Sequence, residues 1–303
     1  MSFLETFKYP LKTVKHFFDS LDGAFAPNTI RAYESDYRHY AAWCKANQYN
    51  ANQVDGETFA NYVLEMGKSL KTATIRRRVA SLSSVFRLMK LKDPTQEPEI
   101  ILALKRLHRK LGRAQQQATP LTKDILEKLM AVCGDDLIGI RNKVMLQLGY
   151  ETMRRRAELC AFEFSDIKHM PNARYAINLR SSKTDQYGEG KLLPISDRLV
   201  ELINDWKDKA NLEHGKILRG FFKGKSIRDK LNPSSINNIL KHLQAKAQIN
   251  DMVELSGHSF RVGGAVDMLS KGIPLERIML RGGWKSEITA LRYLRNWQEE
   301  YRF

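Results

Sequence analysis

Apolar residues recur at steps of three and four positions through most of this chain, and this spacing limits the fold more than any other feature. One such series begins after Pro27 and comprises Ile30, Tyr33, Tyr37, Tyr40, Ala41 and Cys44. A second series, within residues 71–89, comprises Ile75, Val79, Leu82, Val85, Phe86 and Met89. This is the spacing of one face of an amphipathic α-helix. We therefore predict two helices here, the first capped by Asn28 or Thr29.

The helical pattern stops once in a way that divides the chain. Helical spacing continues over residues 102–111 and ends at Gly112, after which residues 113–120 are polar, lack a period and close with a proline. That composition is typical of a linker, and 303 residues suit about two domains. We predict an N-terminal helical domain over residues 1–111, a linker over 112–121 and a second domain over 122–303, whose first helix starts near Thr122.

The second domain contains one region with the period of a β-strand. Residues 175–180 alternate apolar and polar side chains, a turn containing glycine follows, and residues 192–195 resume the apolar pattern. Alternation with a period of two is typical of a half-buried strand. We predict an antiparallel β-hairpin with Lys183 near its start or tip, in a fold that is otherwise mainly α.

The charge balance favours a polyanionic partner. The chain has 50 lysines and arginines against 34 aspartates and glutamates, a formal net charge of +16 and a pI near 9.7. Nucleic acid is the commonest polyanion that such a protein binds, although ribosomal, membrane-surface and heparin-binding proteins share the balance. The predicted N-terminal helices offer these basic candidates for DNA contacts: Arg31, Arg38, Lys45, Arg76, Arg77 and Arg78.

Three of these candidates are consecutive arginines near the start of the second helix. Positive charge at that end opposes the helix dipole, which favours negative charge there. A bound phosphate backbone would relieve the conflict, whereas a solvated basic face is the alternative for either helix taken alone. We therefore predict that both helices bind DNA.

Cysteine usage and hydropathy exclude several classes of protein. Cys44, Cys133 and Cys160 are odd in number and lack the paired spacing of a zinc site, so neither a disulfide framework nor a structural metal is predicted. The N-terminus has no apolar segment with a cleavage site, and nowhere do roughly 18 apolar residues run together. We expect an intracellular, cytoplasmic protein that needs no metal and no cofactor.

A set of residues in the second domain has the composition of a metal-free phosphoryl-transfer site. It comprises Arg155 and Glu158, then His258-Ser259-Phe260-Arg261, then Gly282-Gly283-Trp284, and last Tyr293. A tyrosine hydroxyl, with a pKa near ~10, needs a base or strongly cationic surroundings to attack phosphate. Arginine suits this task because it stays protonated and can bind two oxygens at once.

In their order and local spacing, these residues resemble the active site of the tyrosine recombinases, the phage integrase family. The resemblance implies that Tyr293 is the nucleophile that becomes joined to a DNA 3′-phosphate. It also implies that Arg155 and Arg261 clamp the scissile phosphate. His258 would hydrogen-bond this phosphate and help to accept the tyrosine proton. The specific sequence motifs lie within residues 150–295. In the residues that precede them, only the domain architecture resembles that of the family.

Three further roles follow from the same resemblance. Lys183 matches the mobile lysine that protonates the leaving 5′-oxygen. Trp284 stands where many members carry histidine, so its indole N–H is expected to donate to the phosphate while its ring packs the site. Glu158 resembles the acidic residue that supports the site from behind. With these roles filled by side chains, the reaction needs no bound metal.

Two of these assignments have competitors nearby. Arg154 and Arg156 flank Arg155, which is preferred for its place in the family pattern, and both neighbours are expected to face elsewhere on a helix. Lys191 lies near Lys183 in the sequence, and a lysine in a hairpin turn is usually only solvated.

A polar helix face is the candidate for reading DNA sequence. Asn232 is predicted to cap a helix with Pro233 at its first position. The apolar side of this helix holds Ile236, Ile239, Leu240 and Leu243, and its polar side holds Ser234, Asn237, Asn238 and Lys241. By position it resembles the base-reading helix of the family; asparagine suits adenine, and lysine suits guanine or phosphate. Solvation of this face without DNA contact is the alternative.

The resemblance implies a helical, SAM-like core-binding domain and a mostly α catalytic domain with a small antiparallel sheet, together forming a C-shaped clamp on duplex DNA. The implied reaction is site-specific recombination of inverted-repeat sites through 3′-phosphotyrosine intermediates and a Holliday junction. A homotetramer would hold two sites, and a monomer or dimer one. The alternatives are a type IB topoisomerase-like or telomere-resolvase activity, which shares this chemistry, and a catalytically silent architectural DNA-binding protein.

Overall fold

The protein is mainly helical, with small antiparallel sheets, as predicted. The computed structural model describes residues 11–112, 117–171, 174–180, 190–222 and 226–294, with the backbone alone described at 11–13, 292 and 293. The chain forms two compact units that divide between Gln116 and Gln117. None of the helices in these described ranges is long and apolar enough to cross a membrane.

The first unit is a helical bundle around an aromatic core. Its helices are α1 (Leu11–Asp19), α2 (Pro27–Ala46), α3 (Gly56–Met66), α4 (Thr72–Leu88) and α5 (Pro98–Leu111), with a 3-10 turn at Pro94–Gln96. At its centre the fully buried Tyr40 ring lies 5.3 Å from Tyr62, 5.5 Å from Phe59 and 5.6 Å from Phe86, measured between ring centroids. The predicted apolar faces of α2 and α4 supply much of this core, which confirms both helices.

The predicted cap of α2 is wrong. The residue before the helix is Ala26, and no side chain caps it. Pro27 occupies the first helical position, where its fixed φ is preorganised and its missing N–H leaves one fewer donor to satisfy. The side chain of Asn28 instead accepts a hydrogen bond of 2.7 Å from Arg31, because an arginine one turn away can reach it.

A buried carboxylate on α2 supplies a counter-charge for the arginines of α4. Asp36 is 1% exposed and accepts two hydrogen bonds from the Arg77 guanidinium, at 2.5 and 2.9 Å. Nε of Arg78 lies 3.5 Å from the same carboxylate. The conflict with the α4 dipole, which we expected DNA to relieve, is thus relieved in part within the protein. Arg76 is exposed and has no such partner among the described residues.

The second unit contains the remaining elements. They are α6 (Lys123–Ala131), α7 (Leu137–Thr152), α8 (Arg156–Ala161), β1 (Ile167–Met170), β2 (Arg174–Leu179), β3 (Lys191–Ile195), α9 (Asp197–Lys209), β4 (Phe221–Phe222), β5 (Ser226–Ile227), α10 (Ser235–Lys246), α11 (Ser259–Ser270), α12 (Leu275–Gly282) and α13 (Glu287–Leu294), with a 3-10 turn at Phe164–Asp166. Helix α7 is buried nearly all round, and it contacts α6, α9 and α11. It is the central element of this unit and ends at the candidate site.

The predicted hairpin is present, but it belongs to a larger sheet. Strands β2 and β3 pair antiparallel, with Ile177 opposite Leu193. Strand β1 pairs with the other edge of β2, placing Ile167 opposite Ile177 as well. The sequence did not predict β1, because four residues with only their ends half-buried are too few to show alternation. The two-residue strands β4 and β5 were missed for the same reason.

Loss of the Asp36 carboxylate is expected to destabilise the first unit. In Asp36→Ala, the largely buried Arg78 loses its only nearby carboxylate among the described residues, and breaking such a pair costs about 3 kcal/mol. Glu34→Ala is the matched control, since its pair with Arg38 lies on the exposed face of α2 and contributes less than about 0.5 kcal/mol. Urea unfolding of the full chain measures both. Equal losses for the two variants would contradict this account of Asp36.

Candidate active site

Arg155 and Glu158 hold each other at the turn between α7 and α8. Arg155 immediately precedes α8, where its backbone N–H donates to Oε2 of Glu158 at 3.2 Å and its guanidinium donates to Oε1 at 2.7 Å. Burial opposes ionisation of Glu158, but the hydrogen bonds and charge of Arg155 outweigh it and lower the pKa of this carboxyl. The ionised Glu158 therefore orients Arg155, whose guanidinium remains partly exposed.

The two neighbours of Arg155 behave differently from each other. Arg154 is 2% exposed; its Nε donates to the Thr152 carbonyl at 2.7 Å, and another of its nitrogens donates to the carbonyl of Arg281. Burial lowers its pKa to about 10, so it remains charged at neutral pH. Arg156 was also expected to face away from the site, and this is wrong, because its stem packs against Gly257, next to His258.

Arg261 is the most deeply buried of the predicted catalytic side chains that the structure describes. It lies in the first turn of α11 and is 2% exposed. One of its nitrogens donates to the Met153 carbonyl at 2.7 Å, and its guanidinium carbon lies 4.9 Å from the centroid of the Trp284 ring. Met153 ends α7 in the left-handed conformation, with φ at 52°. Arg261 therefore joins the end of α7 to the segment that follows α12.

The segment before α11 is fastened from two sides. The Gly257 N–H donates to Oδ1 of Asn237 on α10 at 3.0 Å. On its other side Gly257 has no space for a side chain, since an added Cβ would lie 2.2 Å from Cγ of Arg156. His258 follows directly and stands at the N-terminal cap position of α11. Contacts with α8 and α10 thus determine where His258 lies.

The surroundings of His258 favour its neutral form. Desolvation of the ring, followed by repulsion from the guanidiniums of Arg261, Arg156 and Arg155, lowers the pKa of His258 below its ordinary value of 6.5. His258 as a residue is nonetheless exposed to solvent. A neutral imidazole at pH 7 can accept a proton, which is what a base beside a tyrosine requires.

Gly282 and Gly283 shape the backbone that places Trp284. An added Cβ at Gly282 would lie 2.1 Å from an atom of the Trp284 ring, so the ring packs directly against this backbone. Gly283 ends α12 with φ at 67°, in the left-handed region, and lies against the buried guanidinium of Arg154. These two positions explain why the motif has paired glycines before a tryptophan. The result is an indole that covers Arg261.

The helix that carries Tyr293 packs onto the same cluster. In α13, Ala290 and Leu294 are fully buried with Trp284 and Val262 of α11. The backbone of Tyr293 lies in this helix, and its side chain lies outside the described residues. Lys183 also lies outside the described residues, so both of its predicted features, the hairpin position and the role in protonation, stay predictions.

Lys191, the competitor of Lys183, is bound to the end of α12. It is the first residue of β3, and its Nζ donates to the Leu280 carbonyl at 2.5 Å. Desolvation and the charges of Arg154 and Arg281 lower the pKa of Lys191. Arg281 also supports this region, because it donates to the carbonyls of Glu151 and Pro194 at 2.8 and 2.7 Å. The sequence gave no reason to select it.

The candidate base-reading helix, α10, starts later than predicted. It begins at Ser235, and the Asn232 side chain accepts hydrogen bonds from the N–H and hydroxyl of Ser234, at 3.0 and 2.8 Å, in the turn before the helix. The predicted cap is therefore wrong, because this turn uses the asparagine oxygen. The apolar face is confirmed: Ile236, Leu240 and Leu243 are buried and Ile239 is partly buried.

The predicted base-reading residues of α10 are not equivalent. Ser234, Asn238 and Lys241 are exposed, and Lys241 pairs with Glu254 at 2.5 Å. Asn237 is half-buried and uses its side-chain oxygen on Gly257. Because that oxygen is occupied, a bidentate contact with adenine, which needs both amide atoms, would compete with the support of His258.

The basic candidates of the first unit lie on its surface. Arg31, Arg38 and Lys45 are exposed along α2, as their spacing predicts. Arg38 pairs with Glu34 at 2.6 Å in a solvent-exposed ion pair, which is weak enough to be exchanged for a phosphate contact. Arg77 and Arg78 are held by Asp36, which leaves Arg76 as the most available of the three consecutive arginines.

The described residues offer cationic groups for phosphate and no carboxylate-rich site for a metal. No group of three or more histidine, cysteine, aspartate or glutamate residues is placed to bind a metal ion within the described ranges. Arg155, Arg261 and a neutral His258 can together neutralise a phosphate and accept a proton. Glu158 supports the first of these groups, and Trp284 packs over the second.

Comparisons with known proteins cover both units. The phage integrase family matches residues 119–300, and the N-terminal SAM-like domain of phage integrases matches residues 14–92. The chain is 26% identical over 285 residues to an integrase/recombinase XerD homolog of Selenomonas ruminantium, covering 90% of this chain and 83% of the relative. It is 25% identical over 296 residues to the recombinase Cre of Escherichia phage P1, covering 91% of this chain and 86% of Cre.

Solved structures share the fold at lower identity. The XerH site-specific recombinase in a post-cleavage complex with a palindromic difH substrate has a TM-score of 0.68 at 15% identity, covering 95% of this chain and 82% of XerH. A lambda integrase dimer bound to a COC′ core site has a TM-score of 0.63 at 15% identity, covering 92% of each chain. At such identities the likeness concerns the fold.

A side chain at Gly282 is expected to displace Trp284. In Gly282→Ala the new Cβ would enter the indole ring, so the ring or the end of α12 must shift, and such overpacking costs about 1–3 kcal/mol. The part of the near-UV circular dichroism spectrum that disappears in Trp284→Phe is the signal of this indole. Gly282→Ala should change that signal. Gly272→Ala, a site with positive φ and no atom within 4 Å of the added Cβ, should leave it unchanged.

The pKa of His258 is expected to lie below 6.5, the ordinary value for histidine. A lowered pKa keeps the ring neutral as the pH falls through 6.5, and protonation occurs only at lower pH. Titration of the histidine ring resonances by NMR measures this, with the His258 signal assigned by its loss in His258→Gln. A titration midpoint at or above the ordinary value would show that the surrounding arginines do not act on the ring as described.

Proposed function

The chain belongs to the phage integrase family and is a tyrosine site-specific recombinase, and we propose that it exchanges DNA strands through a covalent bond between Tyr293 and a DNA 3′-phosphate. One observation supports this most directly: Arg155, at the start of α8, is brought together with the first turn of α11, which carries His258 and Arg261, because Arg261 donates to the carbonyl of Met153, two residues before Arg155. A cluster of guanidiniums around a neutral imidazole suits a phosphodiester and a tyrosine nucleophile.

Residues of the site account for every bond and proton in the proposed cleavage step. The Tyr293 oxygen attacks phosphorus while its proton passes to neutral His258. The bond between phosphorus and the 5′-oxygen breaks, and the leaving oxygen takes a proton from Lys183. The product is a 3′-phosphotyrosine and a free 5′-hydroxyl. Because the phosphotyrosine is again a phosphodiester, rejoining needs no nucleotide cofactor.

The arginines stabilise charge that develops on the phosphate. Arg155 and Arg261 each present a planar guanidinium, which can bind non-bridging oxygens with paired hydrogen bonds. Glu158 keeps Arg155 in place through two hydrogen bonds. Trp284 lies over Arg261, and its indole N–H is the remaining donor that we assign to the phosphate. The positive charge of the site thus comes from side chains.

Recognition is assigned to both units. In this proposal α10 enters the major groove with Ser234, Asn238 and Lys241, while Arg31, Arg38, Lys45 and Arg76 of the first unit contact phosphates. Two copies of the chain bind the halves of an inverted-repeat site. Four copies then hold two sites and exchange strands in pairs through a Holliday junction. XerH bound to its difH substrate and lambda integrase bound to a COC′ core site share this fold, which supports a duplex DNA partner.

Covalent trapping tests the proposal. Duplexes recovered by binding from a random library are nicked near the exchange point, so that the small product is lost and the intermediate persists. The wild type should form a protein–DNA adduct that survives denaturant, with chelator present. Tyr293→Phe should form none while binding the same duplex with similar affinity, because only the hydroxyl is removed.

Three outcomes would reject parts of this assignment. Adduct formation by Tyr293→Phe would exclude Tyr293 as the nucleophile, and dependence on added metal would exclude the side-chain mechanism. Binding without any wild-type adduct would favour an architectural DNA-binding protein. Relaxation of supercoils by the wild type without exchange between two sites would favour a topoisomerase-like reaction.

A further inference from the structure

The Arg156 guanidinium has no fixed partner among the described residues, in contrast to the arginines around it. Arg155 is paired with Glu158, Arg154 donates to two carbonyls, and Arg261 donates to Met153. No hydrogen bond or ion pair of the Arg156 guanidinium occurs within the described parts of the chain. Arg156 as a whole is half-buried, and its charge is therefore available to an anion that DNA brings.

The stem of Arg156 has a fixed place in the site. An added Cβ at Gly257 would lie 2.2 Å from Cγ of Arg156 and 2.6 Å from its Cδ, so these carbons lie against the Gly257 backbone. On the other side, the Gly257 N–H is held by Asn237 of α10. Gly257 is therefore bound between α8 and α10. This arrangement places the stem of Arg156 beside the residue that precedes His258, and the charge of Arg156 acts on the His258 ring.

Arg156 adds a positive charge near His258 that no carboxylate among the described residues offsets. Arg155 and Arg261 also act on His258, and they are the two arginines already assigned to the scissile phosphate, the first of them paired with Glu158. A phosphodiester brings a single negative charge, whereas successive phosphates follow along each strand at about 3.4 Å of helix rise. A second phosphate of the same strand is the nearest anion that a bound duplex would supply.

We propose that Arg156 is a third phosphate-binding arginine of the site, which contacts the phosphate next to the scissile one on the cleaved strand. This inference rests on the proposed function, since it assumes that DNA is cleaved here. The contact places the backbone of the strand between the active site and α10. Through Gly257 it also links the position of that strand to the position of His258.

The same guanidinium acts on His258 as a through-space charge. The charged groups around the ring are Arg261 on α11 and Arg155 and Arg156 at the start of α8. On the α10 side, Lys241 and Glu254 pair with each other, so their charges largely cancel. Replacing Arg156 by a neutral residue removes one positive neighbour and is expected to raise the pKa of His258 towards its ordinary value.

Substrates with single neutral phosphates test the contact. In a series of nicked duplexes, each phosphate flanking the scissile one is replaced in turn by a methylphosphonate, and the dissociation constant is measured for wild type and Arg156→Gln. Glutamine keeps the carbons that pack on Gly257 and removes the charge. Arg277→Gln is the matched control, because Arg277 is exposed on α12 and makes no ion pair within the described residues.

The proposal predicts coupling at one position. Wild type and Arg277→Gln should lose at least about tenfold in affinity when the adjacent phosphate is neutralised, the size of one charge-assisted hydrogen bond. On natural DNA, the affinity of Arg156→Gln should be lower than that of the wild type by about the same factor. Neutralising the adjacent phosphate should then lower the affinity of this variant little further. If Arg156→Gln responds to every methylphosphonate as the wild type does, there is no such contact. A wild type that forms no adduct rejects the proposed function instead.

The pH dependence of adduct formation gives a second readout. The acid limb of the rate profile should move to higher pH in Arg156→Gln and return towards the wild-type position in Arg156→Lys, which restores the charge. Thermal unfolding midpoints of both variants report any general loss of structure. An unchanged limb in Arg156→Gln, with a normal unfolding midpoint, would overturn the electrostatic part of the proposal.

Discussion

The burial of one guanidinium is the constraint on which the site depends. Arg261 is 2% exposed, and a charge can remain there only with compensating partners. The Met153 carbonyl and the face of Trp284 provide them, and they belong to the ends of α7 and α12. One side chain of α11 therefore joins three segments that lie far apart in the sequence. His258 begins the same helix, and Arg155 follows Met153 by two residues. The contact between Arg261 and Met153 therefore fixes the positions of both His258 and Arg155.

Positive charge accumulates around this point. Glu158 offsets Arg155, whereas Arg156 pairs with no carboxylate among the described residues. Desolvation of the His258 ring, followed by repulsion from the like charges of this cluster, lowers the pKa of His258. A bound phosphate would relieve this repulsion. The cost of holding these groups together before DNA binds is thus the physical basis of a site prepared for an anion.

Prediction from the sequence succeeded where a few consecutive residues carry the signal. The apolar faces of α2, α4 and α10 and the pairing of β2 with β3 follow from period alone. It failed at the helix caps, because the side chains of Asn28 and Asn232 each had a competing partner within a few residues. It also missed β1, whose four residues are too short for a period to appear. Regular burial is thus predictable, and individual polar contacts are not.

Periodicity and composition are enough to establish that the protein is mainly helical and basic, and its motifs place arginines, a histidine, a tryptophan and a tyrosine in the order of the phage integrase family. Tertiary structure alone decided which carboxylate neutralises Arg77, which arginine lies beside His258, and that Asn237 supports the histidine segment from α10. The physical reason is the range of the interactions. Periodic burial depends on neighbours along the chain, whereas the partner of a long polar side chain is set by whichever distant segment packs within hydrogen-bonding distance.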